Sequence, residues 1–385
     1  MGDCLGRGHM DERSKNARRN SVRSLIVVAI VGSVFMNARF SFAATHLVQT
    51  PPRLASSSKI ALKDPQALGV TPRGLLLVMD IARDQILERR PLGKFVVFAG
   101  SGVNGFTGDG HLAVDAEVSI INRSGIAVAK NGTVYFSDSG NSRVRAILPN
   151  GIIETVAGGG TKAIGLGSLH ARDVRFAGYY GPVGLAIAPS VELYIADDSI
   201  YRLGPDGILH WVVGEQSTPA DQPPGCTTYS NPSFQNNFAS SISLAFDGAG
   251  DLLVAGGGAF NLYEDTADGQ LRWIEGFRAM GGTWGTLSEA PDGTVVLACG
   301  GLSRFSSSGS IVPAITNVAW NETSTALGGR KAGSIYLANQ FGPGAGVVVA
   351  ANSDIYVVSA RSQFSSVGAI IRFTPTGHVS TIWRS

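Results

Sequence analysis

Three aspartates, Asp80, Asp138 and Asp197, follow short apolar runs at 75–78, 134–136 and 193–195, at equivalent points of a repeating pattern. Carboxylates brought to one mouth of a ring supply the hard oxygen ligands that calcium prefers, so the three are candidate binding residues and candidate metal ligands. The competing role is structural, because Asp at such a corner accepts main-chain N–H bonds in its own turn and no ligand spacing surrounds these three. Gly256, Cys299 and Ser359 take the same point in the later repeats, which makes the acidic arc one-sided. His111 and His170 are the histidines on the long connections between repeats. His170, with Arg172 and Asp173 beside it, is the best candidate acid–base group. The plainer account of that cluster is a set of solvated loop charges.

Tyr179, Tyr180, Trp284 and Trp320 also fall in or beside the connections. Aromatic side chains in such places anchor partners, or pack the loops onto the scaffold beneath. Cys226 and Cys299 are the remaining pair once Cys4 is set aside with a leader segment, and they are a disulfide candidate if their Cα atoms lie within about 7 Å. The glycine-rich stretch 105–110 lacks the Gly-Lys-Ser/Thr ending and the following helix of a phosphate loop, so it reads as a turn.

Holding such residues in one place falls to a repeat of strands. The turns Pro149-Asn150-Gly151, Pro205-Asp206-Gly207 and Pro375-Thr376-Gly377 have counterparts at 91–93, 267–269 and 307–309. Each is followed by one apolar strand and preceded by others, giving about four strands in every 40 to 60 residues. One such unit cannot bury its own faces and needs neighbours. The expected architecture is therefore all-β, a six-bladed β-propeller of four-stranded antiparallel blades over residues 66–385. Closure falls to contacts between the first and last blades, with 59–62 as a candidate edge strand. Loops between second and third strands share a face with the loops joining blades. The joining loops at 101–122, 159–181, 215–240 and 317–342 exceed ordinary hairpin length, which makes that face the expected working surface.

The second repeat reads Gly125-Ile126-Ala127-Val128, then Asn131-Gly132-Thr133-Val134-Tyr135-Phe136-Ser137-Asp138, then Asn141-Ser142-Arg143-Val144-Arg145 and Pro149-Asn150-Gly151. Together with the lead-in from Ala99 to Ala116, it resembles the NHL family, in particular bacterial exported NHL proteins and teneurin-type propellers. The likeness spans about 65 to 385 and thins after the third repeat. It implies a propeller used for binding, and related propellers act as lactonases, streptogramin lyases and the amidating lyase. Two loop histidines do not make the three-histidine zinc site that the amidating lyase would imply.

The chain has 385 residues with 50 Gly, 44% hydrophobic and 16% charged residues, a composition of many short strands and tight turns. Setting aside the seven basic and three acidic residues before position 44 leaves 24 basic against 26 acidic. A near-neutral domain lacks the electrostatic footprint of nucleic-acid binding. Arg18, Arg19 and Arg23 precede the apolar run 25–36 and the small residues around Ala43. That is a secretory signal over 1–43, whose apolar run is too short to span a bilayer as a helix, followed by a linker over 44–65. The expected protein is secreted or extracytoplasmic and meets a membrane only through an uncleaved signal. Its expected role is capture of a protein, peptide or glycan through the loop-rich face. The alternative is a metal-dependent lyase or lactonase-like hydrolase at the central mouth.

Overall fold

The structure is a computed structural model and describes residues 60–164, 168–176, 181–197, 199–214, 243–256, 261–265, 271–273, 286–298, 302–305, 311–313, 346–359 and 368–385. The signal segment, most of the linker, Tyr179, Tyr180, Cys226, Trp284, Cys299 and Trp320 lie outside the described residues.

The first sheet holds β1 (Pro65–Val70), β2 (Leu76–Asp80), β3 (Gln85–Arg89) and β4 (Phe95–Ala99), and the second β5 (Ile126–Val128), β6 (Val134–Asp138), β7 (Arg143–Ile147) and β8 (Ile153–Gly158). The third joins β9 (Ser168–His170) to β10 (Gly184–Ile187), β11 (Leu193–Ala196), β12 (Ser199–Leu203) and β13 (Ile208–Gly214). The fourth is β14 (Ser243–Phe246), β15 (Leu252–Gly256), β16 (Asn261–Asp265) and β17 (Leu271–Trp273). The fifth is β18 (Thr286–Glu289), β19 (Val295–Ala298), β20 (Leu302–Phe305) and β21 (Ile311–Pro313). The sixth is β22 (Gly346–Val349), β23 (Ile355–Ser359), β24 (Ala369–Phe373) and β25 (Val379–Arg384). All pairings within the sheets are antiparallel meanders, except that β9 returns to lie outside β13. Four strands in every blade is thus corrected at the third sheet, which has five.

The first strands of the sheets pack side by side in a ring, β1 on β5, β5 on β10, and so on through β14, β18 and β22 back to β1. The fold is an all-β propeller. Its cores lie between sheets. Leu77, Met79 and Ile86 of the first meet Val134, Phe136 and Ile147 of the second, and Val296 and Ala298 of the fifth meet Val357, Ile371 and Phe373 of the sixth. Fully burying a side chain such as Phe136 or Phe373 contributes about 1.5–3 kcal/mol, and each needs the next sheet to do so. The third and fourth strands slip register at the same point in four sheets, between Ile86 and Leu87, Val144 and Arg145, Ile200 and Tyr201, and Ile370 and Ile371. Such bulges add local twist.

The first and sixth sheets close the ring with no shared strand. Leu62 and Ile60 pack with Leu68, Val78 and Leu87 of the first sheet and with Val358, Ile370 and Trp383 of the sixth. Residues 60–62 are not an edge strand, which corrects that expectation. Their contribution is apolar packing, with Arg83 donating to the Ala61 carbonyl.

Both joining segments that the structure describes depart from the expected face. After β4 the chain descends the outer flank of the second sheet, where Gly110 N–H donates to the Ile153 carbonyl, Ile153 N–H to that of His111, and Ala113 N–H to that of Gly151. After β8 the chain does the same on the third sheet: β9 pairs with β13, and Ala171 N–H donates to the Gly207 carbonyl. Each connection therefore runs from the loop end of the ring to the turn at the opposite end. An outermost strand has a row of unpaired main-chain groups, and these segments cover it.

Candidate functional site

Gln66 at the start of β1, Asn122 to Ile126 leading into β5, and the first residues of β10, β14, β18 and β22 surround a central cavity of about 120 Å³. The inner strands approach too closely for large side chains at their heads. A Cβ on Gly125 would sit 2.2 Å from the Val183 carbonyl oxygen, and one on Gly346 would sit 2.7 Å from that of Gln66. Where Ser or Thr replaces glycine, the hydroxyl links neighbouring sheets. Leu287 N–H donates to Ser243 Oγ (2.9 Å) and Val347 N–H to Thr286 Oγ1 (2.9 Å).

Among the described residues of this lining, Arg123 is the single charged side chain. It stands on a turn closed by Ser124 N–H donating to the Ile121 carbonyl (3.1 Å). Its φ of 81° is in the left-handed region, where glycine is the usual occupant. Such a conformation costs about 1–3 kcal/mol and persists only where the surroundings impose it. Here they do. Ser119 N–H donates to Asp138 Oδ1 (2.7 Å), Ile120 N–H to Asp84 Oδ1 (2.8 Å), and Ser124 Oγ to Ser139 Oγ (3.0 Å), which in turn donates to the Pro182 carbonyl (2.6 Å).

The aspartate arc serves the same purpose. Asp80 is fully buried, accepting Lys63 N–H at Oδ2 (2.7 Å) and Asp64 N–H at Oδ1 (2.9 Å). Asp138, also fully buried, accepts Asn141 Nδ2 (2.8 Å) besides Ser119 N–H. These acids fix the segment entering the inner strand of their own sheet, a longer reach than the turn bonding expected of them. Asp197 is buried, and its N–H donates to the Ser199 carbonyl. Asp80 thus has both oxygens engaged by main-chain donors. Among the described residues no three His, Cys, Asp or Glu side chains gather as a metal site.

Burial pushes the Asp138 carboxyl up to about 6 against its hydrogen bonds and the nearby Arg145. Arg145 is itself fully buried. It donates to Asp109 Oδ1 (2.8 Å) and to the carbonyls of Thr107 (2.8 Å) and Glu117 (3.1 Å), and it lies 3.7 Å from Asp138 Oδ2. Phe106 rests its ring under Arg143, 3.8 Å from the guanidinium carbon. The stretch 105–110 is thus a turn wrapped around an arginine, as its sequence suggested.

His111 is exposed and sits beside Gly151 on the outer flank. His170 ends β9, on the outer edge of the third sheet. Asp173 pairs with Lys162 (2.7 Å), and that hydrogen bond holds its carboxyl below the usual range. The expected acid–base cluster is therefore a group of solvated charges on the rim. Sequence reasoning missed Arg123, Gln66, Ser243 and Thr286. The available signal was the alignment of Gly125, Gly184 and Gly346 at strand heads, two residues before which stand Arg123, Pro182 and Gly344.

No protein-family model matches the chain, and no curated protein matches it. Among solved structures it is similar to virginiamycin B lyase from Staphylococcus aureus, at 13% identity over 83% of each chain with a TM-score of 0.46. It is also similar to a gluconolactonase from Xanthomonas campestris, at 12% identity over 86% of this chain and 87% of that one, TM-score 0.44. A third is the calcium-binding protein regucalcin from Agrobacterium tumefaciens, at 16% identity over 68% of this chain and 72% of that one, TM-score 0.39. These are β-propeller proteins. Neither activity nor ligand passes to this chain at such values.

Proposed function

We propose that this is an exported propeller that captures a small ligand, or the end group of a peptide or glycan, in the cavity at the head of its inner strands. The observation that carries this reading is that all six sheets contribute to the lining, with polar side chains from four of them: Gln66, Asn122 to Ser124, Ser243 and Thr286. A concave, mostly apolar site with a few convergent polar groups is the usual form of a ligand pocket. The NHL-type assignment rests on the motifs of the second sheet, and export on the basic and apolar pattern before Ala44. A protein recovered from the exterior with its mass beginning near residue 44 supports the latter, whereas retention of 1–43 in membranes removes it.

A metal-dependent lyase or lactonase-like hydrolase working at the same mouth is the second reading. The convergence of polar groups on a cavity favours it over a flat binding surface. Calorimetric titration of small-molecule, peptide and glycan panels separates these readings. Asn122→Trp, which plugs the mouth from an exposed position, should abolish capture, while Asn150→Arg at the opposite end should leave it intact. Turnover of the captured compound that stops on chelation selects the enzyme. Capture insensitive to the plug overturns the cavity assignment.

A further inference from the structure

We infer that the turn end of the ring, opposite the cavity mouth, docks on an anionic lipid surface, with Leu92 as the side chain that enters the bilayer interface. The first ground is exposure. Among the described residues five large hydrophobic side chains are exposed, and three of them, Leu92 (99%), Val191 (68%) and Leu112 (37%), stand at this end. Leu92 is on the turn between β3 and β4, Val191 on that between β10 and β11, and Leu112 adjoins Gly151 between β7 and β8. Tips spread over three sheets at one end of a ring are met together by a flat surface, whereas a peptide needs a groove. The second ground is backbone strain. Gly93 N–H donates to the Arg90 carbonyl, and Leu92 holds φ 68° at the position such turns give to glycine. Val191 N–H donates to the Ala188 carbonyl, with φ 76°. The corresponding bonds in the first, second, fourth and fifth sheets are made by Gly74, Gly132, Gly250 and Gly293, with φ from 77° to 91°. A β-branched residue in that region is an outlier. Glycine serves the fold there without strain, so an exposed apolar side chain answers to something other than folding.

The third ground is charge. Arg73, Arg89, Arg90 and Lys94 surround the turn of Leu92. Arg89 lies against Gly93, Arg90 pairs with the buried Glu88, and Arg73 is within electrostatic reach of the same carboxylate. Four cations thus share this end of the first sheet with Glu88. On the second sheet Lys130 adds a cation and Asp115 an acid, while the turns of the later sheets carry Asp206, Asp251, Asp292 and Asp354. A ring that is near neutral as a whole and basic at one edge turns that edge toward an anionic surface. An apolar side chain set between cations suits the bilayer interface, where it sinks below the headgroups and the charges stay among them.

Co-sedimentation of the full chain with vesicles of phosphatidylcholine alone, and of phosphatidylcholine mixed with phosphatidylglycerol, tests the assignment, with poly-glutamate as the soluble rival. Binding to the anionic vesicles should exceed binding to the neutral ones and fall steeply between about 0.1 M and about 0.5 M salt. Leu92→Asp should weaken it about 10-fold or more, the factor carried by a leucine taken out of water. Lys94→Gln should weaken it about 5-fold, the share of one cation near such a surface. Leu92→Gly should lose binding while its melting temperature holds or rises, which separates loss of docking from loss of fold. Val103→Asp, at an exposed apolar position of the loop end, and Asn122→Trp at the cavity should leave vesicle binding unchanged. Equal binding to neutral and anionic vesicles, or binding indifferent to Leu92→Asp and Lys94→Gln, assigns the interaction to the apolar run at 25–36 and overturns the proposal. No binding to either vesicle, or a loss with Val103→Asp or Asn122→Trp instead, also overturns it. Tighter capture of poly-glutamate than of vesicles, kept by Leu92→Asp, gives the patch to an acidic polypeptide and removes the lipid reading.

Discussion

Arg145 and Arg123 belong to the same quarter of the ring, and their surroundings are opposite. Arg145 lies under the joining segment, fully buried, with two carbonyls and Asp109 as acceptors and Asp138 close by. Its two terminal nitrogens find acceptors in the fold, while Nε is buried without one. Arg123 lies at the mouth, partly exposed, on a strained turn, in a lining whose described residues include no carboxylate. Burying a guanidinium is tolerable only when most of its hydrogen bonds are met, and the acceptors around the terminal nitrogens of Arg145 supply them. The strained turn of Arg123 costs the fold free energy. The contrast is between a guanidinium buried beneath a joining segment and one carried on a strained turn beside the central cavity.

Removing the structural arginine is the strongest way to test that contrast. Arg145→Met should cost about 3–5 kcal/mol in urea unfolding, because the acceptors at Thr107 and Glu117 and the buried Asp138 lose their counterpart. A loss comparable to an ordinary surface change would mean that the joining segment does not depend on it. Next in size is a pH effect. The Asp138 carboxyl has a pKa of about 6 in the fold against 3.8 as its ordinary value, so the folded state binds the proton more tightly than the unfolded chain. Falling pH then favours the fold across that window. The parent should gain about 2 kcal/mol relative to Asp138→Asn between pH 7 and pH 4, by paired denaturation curves. Parallel curves for the two proteins would contradict it.

Arg123→Gly should move stability the other way from Arg145→Met, upward by about 1 kcal/mol as backbone strain is relieved. Thermal unfolding without ligand measures this, and a drop would show that Arg123 is structural after all. Smallest is the rim cluster: Lys162→Ala or Asp173→Asn should leave both melting temperature and ligand capture unchanged, since exposed ion pairs are screened by solvent. A loss of capture in either would return His170 and Asp173 to the working site.

Much of the propeller was legible because its signals are local. Turn glycines, short apolar strands and the Asp at the end of the second strand in the first three repeats recur at similar spacing, and the strands formed where those patterns stood. The joining segments were not legible in the same way. Nothing in 101–122 announces that its N–H groups will pair with Gly151 and Ile153, more than thirty residues later, since any exposed outer strand offers the same main-chain row. His111 and His170 were placed near the mouth because their segments begin there, and the chain carries both away to the outer flank.

The sequence by itself determined the repeat, the four-strand meander of each unit and the near-neutral balance of the ring, though not the fifth strand of the third sheet, because turn chemistry, periodicity and charge are properties of neighbouring residues. Only the tertiary structure decided which polar groups share a cavity. Gln66, Arg123, Ser243 and Thr286 are separated by long stretches of chain and meet only because the ring closes. Tertiary structure also decided what the acids do: Asp80 and Asp138 become anchors for the strand entries because folding places unpaired N–H groups of Lys63, Asp64 and Ser119 against them. A carboxylate buried beside such donors is held by them, and that proximity exists in the fold alone.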